Sequence, residues 1–199
     1  MPALLFDLDG TMLVSDPIHE AVFREIWIER GLPTPDGFYV DQIHGRQNQD
    51  IFREFLPDEP DVQGLHERKE AMFRERLPKP YPGMPGVADL VRLSQRKGWK
   101  RAIVTNAMRK NADAMLEAIG LRDAFECIVI GEECSKGKPA PEPYLEAMRQ
   151  LGGELLAAGR VDPLADHAER LVEADGDGLR FAFESGAGAH GWAPSRRAR

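Results

Sequence analysis

The chain has 199 residues, of which 42% are hydrophobic and 30% charged, proportions that are ordinary for a soluble globular protein. Its formal net charge of −7 argues against a nucleic-acid surface, and no run of eighteen apolar residues indicates a membrane span. The N-terminus has no basic segment followed by an apolar stretch, so we expect a cytoplasmic protein. Cys127 and Cys134 are too few for a disulfide framework or a zinc site, and we expect reduced thiols.

A short apolar segment, residues 3–6, is predicted to form a buried strand, and two carboxylates follow it. Because alternate residues of a strand point the same way, Asp7 and Asp9 would converge where the chain leaves the sheet, and Gly10 permits a sharp exit. Two converging carboxylates repel each other unless a cation lies between them, and Mg²⁺ is the simplest candidate. The alternative is a surface turn, since Asp-Gly is common in turns.

A block of helices is predicted next. Asp16 followed by Pro17 is typical of a helix start, and the apolar periodicity that follows continues to Gly31. Two further helices are predicted over residues 48–56 and 61–76. A segment rich in proline and glycine, residues 78–86, ends the block and is predicted to lead the chain back to the sheet.

Strands and helices alternate over the next part of the chain. Helices are predicted over residues 87–96, 111–119 and 142–151, and strands over residues 102–104 and 127–130. This alternation indicates a parallel sheet with crossover helices.

The carboxyl ends of parallel strands lie at one edge of a sheet. Thr105, Asn106 and Lys138 would therefore join Asp7 and Asp9 there, a set of groups that suits a metal-bound phosphoryl group. Taken singly, Thr105 is better interpreted as a helix cap and Lys138 as a solvated loop lysine.

Three motifs now stand in order along the chain: Asp7-Leu-Asp9-Gly10-Thr11, Val104-Thr105-Asn106 and Gly137-Lys138-Pro139. They resemble motifs one to three of the haloacid dehalogenase (HAD) superfamily. The helical block resembles the cap of its phosphoglycolate phosphatase and β-phosphoglucomutase branch. The resemblance covers residues 1 to about 152.

The resemblance implies an α/β fold, with a Rossmann-like three-layer core around a parallel sheet and an inserted α-helical cap. Residues 1–13 and 83–199 would form the core, in which 153–199 are atypical, and residues 14–82 would form the cap.

The resemblance also implies roles for individual residues. Asp7 would be the nucleophile that forms an aspartyl-phosphate, and Asp9 would act as acid and then base. A carboxylate at position 9 favours phosphoryl chemistry over carbon–halogen cleavage. Arg46 in the cap is the candidate for a substrate contact, with His19 near the hinge as a second candidate.

The sequence departs from the family pattern after residue 152. A loop and a polar helix over residues 166–174 are predicted there, followed by a strand over 179–183 that we expect beside the first strand. Glu184 would then face Asp7 as the third metal ligand, and Mg²⁺ would bind more weakly than is usual for the family. Asp175 and Asp177 are rival ligands, although turn residues are the better interpretation. Native divergence and a change of reading frame both explain this segment.

The leading hypothesis is a Mg²⁺-dependent phosphatase that acts on a small phosphate monoester, a phosphorylated metabolite. The alternatives are a sugar phosphomutase with the same aspartyl-phosphate, and a catalytically impaired binding protein whose fourth motif is disrupted. We expect a monomer or a weak dimer, with no nucleic-acid or membrane partner.

Overall fold

The structure is a computed structural model that describes residues 3–152, 168–175 and 178–185, the last two segments by their backbone alone. Its elements, in chain order, are β1 (Ala3–Phe6), α1 (Asp16–Glu29), α2 (Phe38–Gln42), α3 (Asn48–Phe55), α4 (Val62–Arg76), α5 (Val87–Arg96), β2 (Lys100–Thr105), α6 (Arg109–Ala118), β3 (Cys127–Ile130), a 3₁₀ turn (Gly131–Glu133), α7 (Glu142–Gln150), β4 (Ala168–Asp175) and β5 (Gly178–Ser185). No helix in these segments is long and apolar enough to cross a membrane.

The sheet has the strand order β3-β2-β1-β4-β5. Strands β1, β2 and β3 are parallel, with Ala3 opposite Lys100 and Ala102 opposite Cys127. Strand β4 is antiparallel to β1, and β5 is antiparallel to β4. The predicted α/β fold with parallel strands and flanking helices is confirmed, and an antiparallel hairpin extends the sheet on one side.

This hairpin corrects two predictions. The polar helix predicted over residues 166–174 is wrong, because residues 168–175 form a strand. The strand around 179–183 exists, but it pairs with β4 and not with β1. Pairing with β1 on one side and with β5 on the other stabilises residues 168–175 as a strand. These tertiary contacts outweigh the local helical pattern of the polar residues.

Helices cover both faces of strands β1 to β3, whose alternate side chains point to opposite faces. Leu4 and Phe6 face α5 and α6, where Val91, Ala112 and Met115 complete a buried cluster. Ala3 and Leu5 face the opposite way and pack with Ala147 and Met148 of α7. The result is a three-layer core in which β1, a fully buried strand, lies near the centre.

Helices α1 to α4 form a block with a hydrophobic cluster of its own. Phe23 and Trp27 of α1 pack against Phe52 of α3 and Leu65 of α4. Phe73 near the end of α4, and Leu77 directly after it, belong to the buried cluster of the sheet instead. The division of the chain into a cap of residues 14–82 and a core stays a prediction.

The chain leaves the sheet and returns to it through two adjacent crossings. Met84 N–H donates a hydrogen bond to the carbonyl of Met12 (2.8 Å), and the hydroxyl of Tyr81 donates one to the carbonyl of Val14 (2.7 Å). Tyr81 N–H also donates to the carbonyl of Ala118 at the end of α6 (2.8 Å). The two crossings are thus tied to each other and to the core.

Candidate active site

Asp7 follows β1 directly and is only 8% exposed. The Nζ atom of Lys138 lies 2.5 Å from its Oδ1 atom, and both side chains are largely buried. An ammonium group offsets the cost of burying a carboxylate so close to the apolar sheet. The two residues are 131 positions apart in the sequence, and the sheet brings them together as predicted from the strand ends.

Asn106 fixes the loop that carries Lys138. Its Nδ2 atom donates to the carbonyl of Lys138, and its Oδ1 atom accepts from the N–H of the same residue, each over 2.9 Å. A Cβ atom on Gly137 would lie 2.9 Å from Oδ1 of Asn106, and one on Gly131 would clash with that oxygen. The side-chain amide of Asn106 is therefore occupied in positioning Lys138, and its contact with phosphate stays a prediction.

Thr105 ends β2 and is buried. Its Oγ1 atom accepts a hydrogen bond from the N–H of Ala107 (3.1 Å), so the hydroxyl braces the turn that leads into α6. This contact agrees with the other interpretation of Thr105, a hydroxyl that caps a helix. It leaves the hydroxyl proton to be donated elsewhere, so a phosphate contact remains chemically open and stays a prediction.

Asp9 is held by two groups from the beginning of the helical block. Ser15, which is buried, donates its hydroxyl to Oδ1, and His19 Nε2 lies 3.2 Å from Oδ2. Burial raises the pKa of Asp9, but the hydrogen bonds from His19 and Ser15 and the charge of Lys69 outweigh it and hold that pKa below its ordinary value. About a third of the Asp9 side chain is exposed, so the carboxylate remains reachable.

The ring of His19 is oriented from two sides. It stacks on Phe73 with ring centroids 4.1 Å apart and planes 4° apart. Lys69 Nζ lies 2.8 Å from its Nδ1 atom. Because an ammonium group can only donate, Nδ1 is the acceptor, and the proton on Nε2 points to Asp9. The structure thus brings His19 to the acidic pair, closer to the chemistry than the hinge position predicted from sequence.

Two predicted site residues are not joined to this centre. Arg46 forms an ion pair with Glu54 and donates to the carbonyl of Gln42 (2.9 Å), both inside the helical block. Glu184 lies in β5, which β4 separates from β1, so its expected place in a strand beside β1 is wrong. The side chain of Glu184 lies outside the described residues, and its role as a metal ligand stays a prediction.

Sequence reasoning missed the charged pair Lys69 and Glu70 in α4. A signal was available, because Leu65, Lys69 and Phe73 follow each other at intervals of four and so share one face of the helix. A lysine within an apolar row is either solvated at its tip or paired inside the protein, and only the tertiary contacts distinguish the two. Here Lys69 is 2% exposed.

The acidic pair has the donor chemistry of a hard-cation site. Carboxylate oxygens are the preferred protein ligands of Mg²⁺, and Asp7 and Asp9 supply them from one loop. Among the residues that the structure describes, no group of three or more His, Cys, Asp or Glu side chains is gathered to hold a metal. The residues present fit a Mg²⁺ ion held by two protein carboxylates and by waters.

Fold and site together define a Rossmann-like α/β protein with paired carboxylates and a lysine at the carboxyl edge of its sheet. Residues 4–158 match the model of the haloacid dehalogenase-like hydrolases. The chain belongs to this family of hydrolases, as the order of its motifs predicted.

Relatives by sequence include the protein CbbY of Rhodobacter capsulatus, 31% identical over an alignment that covers 92% of this chain and 85% of that protein. Since 92% of 199 residues is about 183, this likeness is not confined to the first 152 residues. An N-acetylmuramic acid 6-phosphate phosphatase of Pseudomonas aeruginosa is 29% identical and covers 76% of this chain and 69% of its own.

Solved structures give the same fold. CbbY from Rhodobacter sphaeroides in complex with phosphate superposes with a TM-score of 0.63, at 26% identity, covering 74% of this chain and 71% of that one. A β-phosphoglucomutase from Clostridium difficile has a TM-score of 0.63 at 21% identity, covering 75% and 70%, which supports the fold alone.

Proposed function

We propose that the protein is a phosphatase that hydrolyses a small phosphate monoester through an aspartyl-phosphate on Asp7. The observation that carries this proposal is the pairing of a buried Asp7 with Lys138, two residues before a hydrogen-bonded Asp9. A carboxylate held beside a cation suits the attack on a phosphoryl group, because the cation offsets the charge of the incoming phosphate. The names of several relatives, which are phosphatases of small phosphorylated compounds, support the same reaction class.

The proposed reaction has two halves. In the first, an oxygen of Asp7 forms a bond to phosphorus, the ester P–O bond breaks, and Asp9 gives its proton to the leaving alcohol oxygen. In the second, Asp9 takes a proton from water, the water oxygen bonds to phosphorus, and the bond to Asp7 breaks. The lowered pKa of Asp9 favours the second half, because an ionised carboxylate accepts a proton. For the first half the bound phosphate must raise this pKa, because its negative charge disfavours the ionised form of Asp9.

Other residues would bind and orient the phosphoryl group. Lys138, in the loop after β3, is proposed to contact a phosphoryl oxygen, together with Thr105 and Asn106 at the end of β2. Asp7 and Asp9 would hold Mg²⁺, whose charge, when the ion is bound, neutralises phosphoryl oxygens. Glu184 is the proposed third ligand, and a Mg²⁺ titration of Glu184→Gln that matched the wild type would remove it from the site.

Residues 14–82 are proposed to be a cap whose closure excludes water, with Arg46 as a substrate contact. Arg46 would have to exchange its ion pair with Glu54 for the substrate. If Arg46→Ala left both KM and kcat unchanged for the best substrate, this assignment would be wrong. A cytoplasmic location and a monomeric or weakly dimeric state belong to the same proposal.

The test is phosphate release from a panel of sugar, glycolate and nucleotide phosphates, with Mg²⁺ and with a chelator. We expect release from at least one small monoester, and loss of release when Mg²⁺ is removed. Transfer of the phosphoryl group to a second sugar hydroxyl without net release would indicate a mutase. Binding of phosphate esters without turnover would indicate an impaired binding protein, and either result would overturn the proposed hydrolysis.

A further inference from the structure

The carboxylate of Glu70 is the centre of a buried polar network between the helical block and the core. It is 6% exposed and accepts from three residues: Lys69 Nζ (2.9 Å), Asn48 Nδ2 at the start of α3 (2.5 Å), and Asn111 Nδ2 of α6. The remaining polar atom of the Asn111 side chain, Oδ1, accepts from Arg74 Nη1 (2.7 Å), so this network joins α3 and α4 to α6.

Such a network is costly unless every partner is in place. A buried carboxylate and a buried ammonium each lose several kcal/mol of hydration, roughly, and only close contacts compensate. Glu70 has no role in the proposed chemistry. It lies on α4, in which the apolar residues Leu65 and Phe73 are already buried. An apolar residue at position 70 would fill this place without the cost, so the carboxylate calls for a purpose beyond packing.

The network leads to Asp9 in a short series of contacts. The ammonium of Lys69 is shared between Oε1 of Glu70 and Nδ1 of His19, and Nε2 of His19 reaches Asp9. Without Glu70, the ammonium would lose its carboxylate and would be free to turn away from His19. The ring would then keep its stacking on Phe73 but lose the group that fixes its tautomer.

We propose that Glu70 is a positioning residue for Asp9: its Oε1 atom holds Lys69 against His19, and its Oε2 atom is tied to Asn111 where α4 lies against α6 of the core. The proposal rests on the proposed function, since it assigns Glu70 to the orientation of the acid–base group. Asn111 is the core side of this contact and is itself buried, so separation of the helical block from the core would break the Glu70–Asn111 and His19–Asp9 bonds together.

Exchanging the carboxylate of Glu70 and the amide of Asn111 separates a positioning role of Glu70 from a role in packing. Glu70→Gln leaves one acceptor oxygen where the carboxylate uses two, so either Lys69 or Asn111 loses its partner. Asn111→Asp disrupts the contact by placing two carboxylates together. The double variant Glu70→Gln/Asn111→Asp restores a donor and an acceptor across the interface, while Lys69 is still deprived of its carboxylate. Glu117→Gln is the matched control. Glu117 of α6 pairs with Lys79 of the segment 78–86, and both side chains are exposed.

We expect each single variant to lower kcat at least about tenfold with little change of KM, since an acid–base group is misoriented and binding is not. In the double variant the midpoint of thermal unfolding should return towards the wild type, while kcat stays reduced. Glu117→Gln should leave kcat unchanged. Full recovery of kcat together with the unfolding midpoint in the double variant would assign Glu70 a structural role only and overturn the proposal.

A second readout does not depend on turnover. The ¹⁵N chemical shifts of the imidazole ring report which nitrogen carries the proton and which accepts a hydrogen bond, and His19→Gln identifies the resonances. In Glu70→Gln we expect the Nδ1 resonance of His19 to move, because the carboxylate that holds the Lys69 ammonium against this atom is lost. An unchanged resonance would overturn the proposal even if the wild-type protein hydrolysed nothing. If the resonance moved in Glu70→Gln but the wild-type protein were inactive, only the proposed function would be contradicted.

Discussion

Asp7 combines two properties that a nucleophilic carboxylate needs, a fixed position and a cation beside it. Asp7→Asn keeps the shape of the side chain but replaces its nucleophilic oxygen, so the fold should persist while kcat falls at least about a thousandfold. Phosphate release and thermal unfolding measure the two effects. Asp89→Asn is the control, since Asp89 is exposed and paired with Arg92 on the surface of α5. Activity above a thousandth of wild type would exclude Asp7 as the nucleophile.

The surroundings of Cys127 disfavour its reactive thiolate form. Burial, with Glu126 and Glu146 nearby, raises its pKa to about 11 from an ordinary 9.0. At pH 8 the reactive thiolate should therefore be roughly a hundredfold rarer than in an unperturbed thiol. We expect iodoacetamide to label Cys127 about a hundredfold more slowly in the native protein than in the urea-unfolded chain, as followed by mass spectrometry. Equal rates would show that the thiol is not shielded.

At the scale of elements, the loops after β2 and β3 are fitted to each other around Asn106. A side chain on Gly131 has no room, because a Cβ atom would clash with Asn106 Oδ1 and would lie 3.2 Å from the Cα of Gly137. We expect Gly131→Ala to destabilise the protein by about 1–3 kcal/mol. We also expect it to lower kcat, since displacing Asn106 would displace Lys138. Urea unfolding and phosphate release measure these losses.

Gly83→Ala is the matched control for that loop. A Cβ atom on Gly83 would meet the carbonyl oxygen of Met12 at 3.4 Å, an ordinary contact. We expect both stability and kcat to stay close to wild type. A Gly131→Ala protein that behaved like Gly83→Ala would mean that Asn106 can move without displacing Lys138.

The elements differ in how far the sequence alone predicts them. Strand β1 and the acidic pair behind it were predictable, because an apolar run and its polar exit are local patterns. The joining of Lys138 to Asp7 followed from the parallel topology. Lys69 stands in an apolar row of α4, but the sequence could not show that it is paired inside the protein, since this depends on His19, which is distant in sequence. Strand β5 was predicted, but β4 was missed because its residues were interpreted as a polar helix.

The stability of the whole molecule should depend on pH through Glu70. Burial raises the pKa of this carboxylate, but the charge and hydrogen bond of Lys69, with smaller contributions from His19 and Asn48, hold it below 4.5. A lowered folded-state pKa stabilises the protein above the unfolded value, and this contribution is lost as the pH falls through the folded-state pKa. Acid should therefore remove part of the free energy of unfolding.

Comparison of wild type with Glu70→Gln isolates that contribution. We expect the variant to be less stable at pH 7 by an amount on the order of 2 kcal/mol. The difference should shrink as the pH falls below about 4.5, because the wild-type carboxylate becomes protonated. Urea unfolding between pH 3 and pH 7 gives both curves. A difference that did not change with pH would mean that the charge of Glu70 contributes nothing.

The paired crossings at Met12 and Met84 have a consequence for the order of folding. Strands β1 and β2 are neighbours in the sheet, yet nearly a hundred residues separate them in the chain. Closing so long a loop costs conformational entropy, although each doubling of its length adds only about 0.6 kcal/mol. Once helices α1 to α4 have collapsed on their own cluster, the two ends of the block lie side by side. The strands then meet across what is effectively a short loop, so early collapse of the helices should speed the pairing of the sheet.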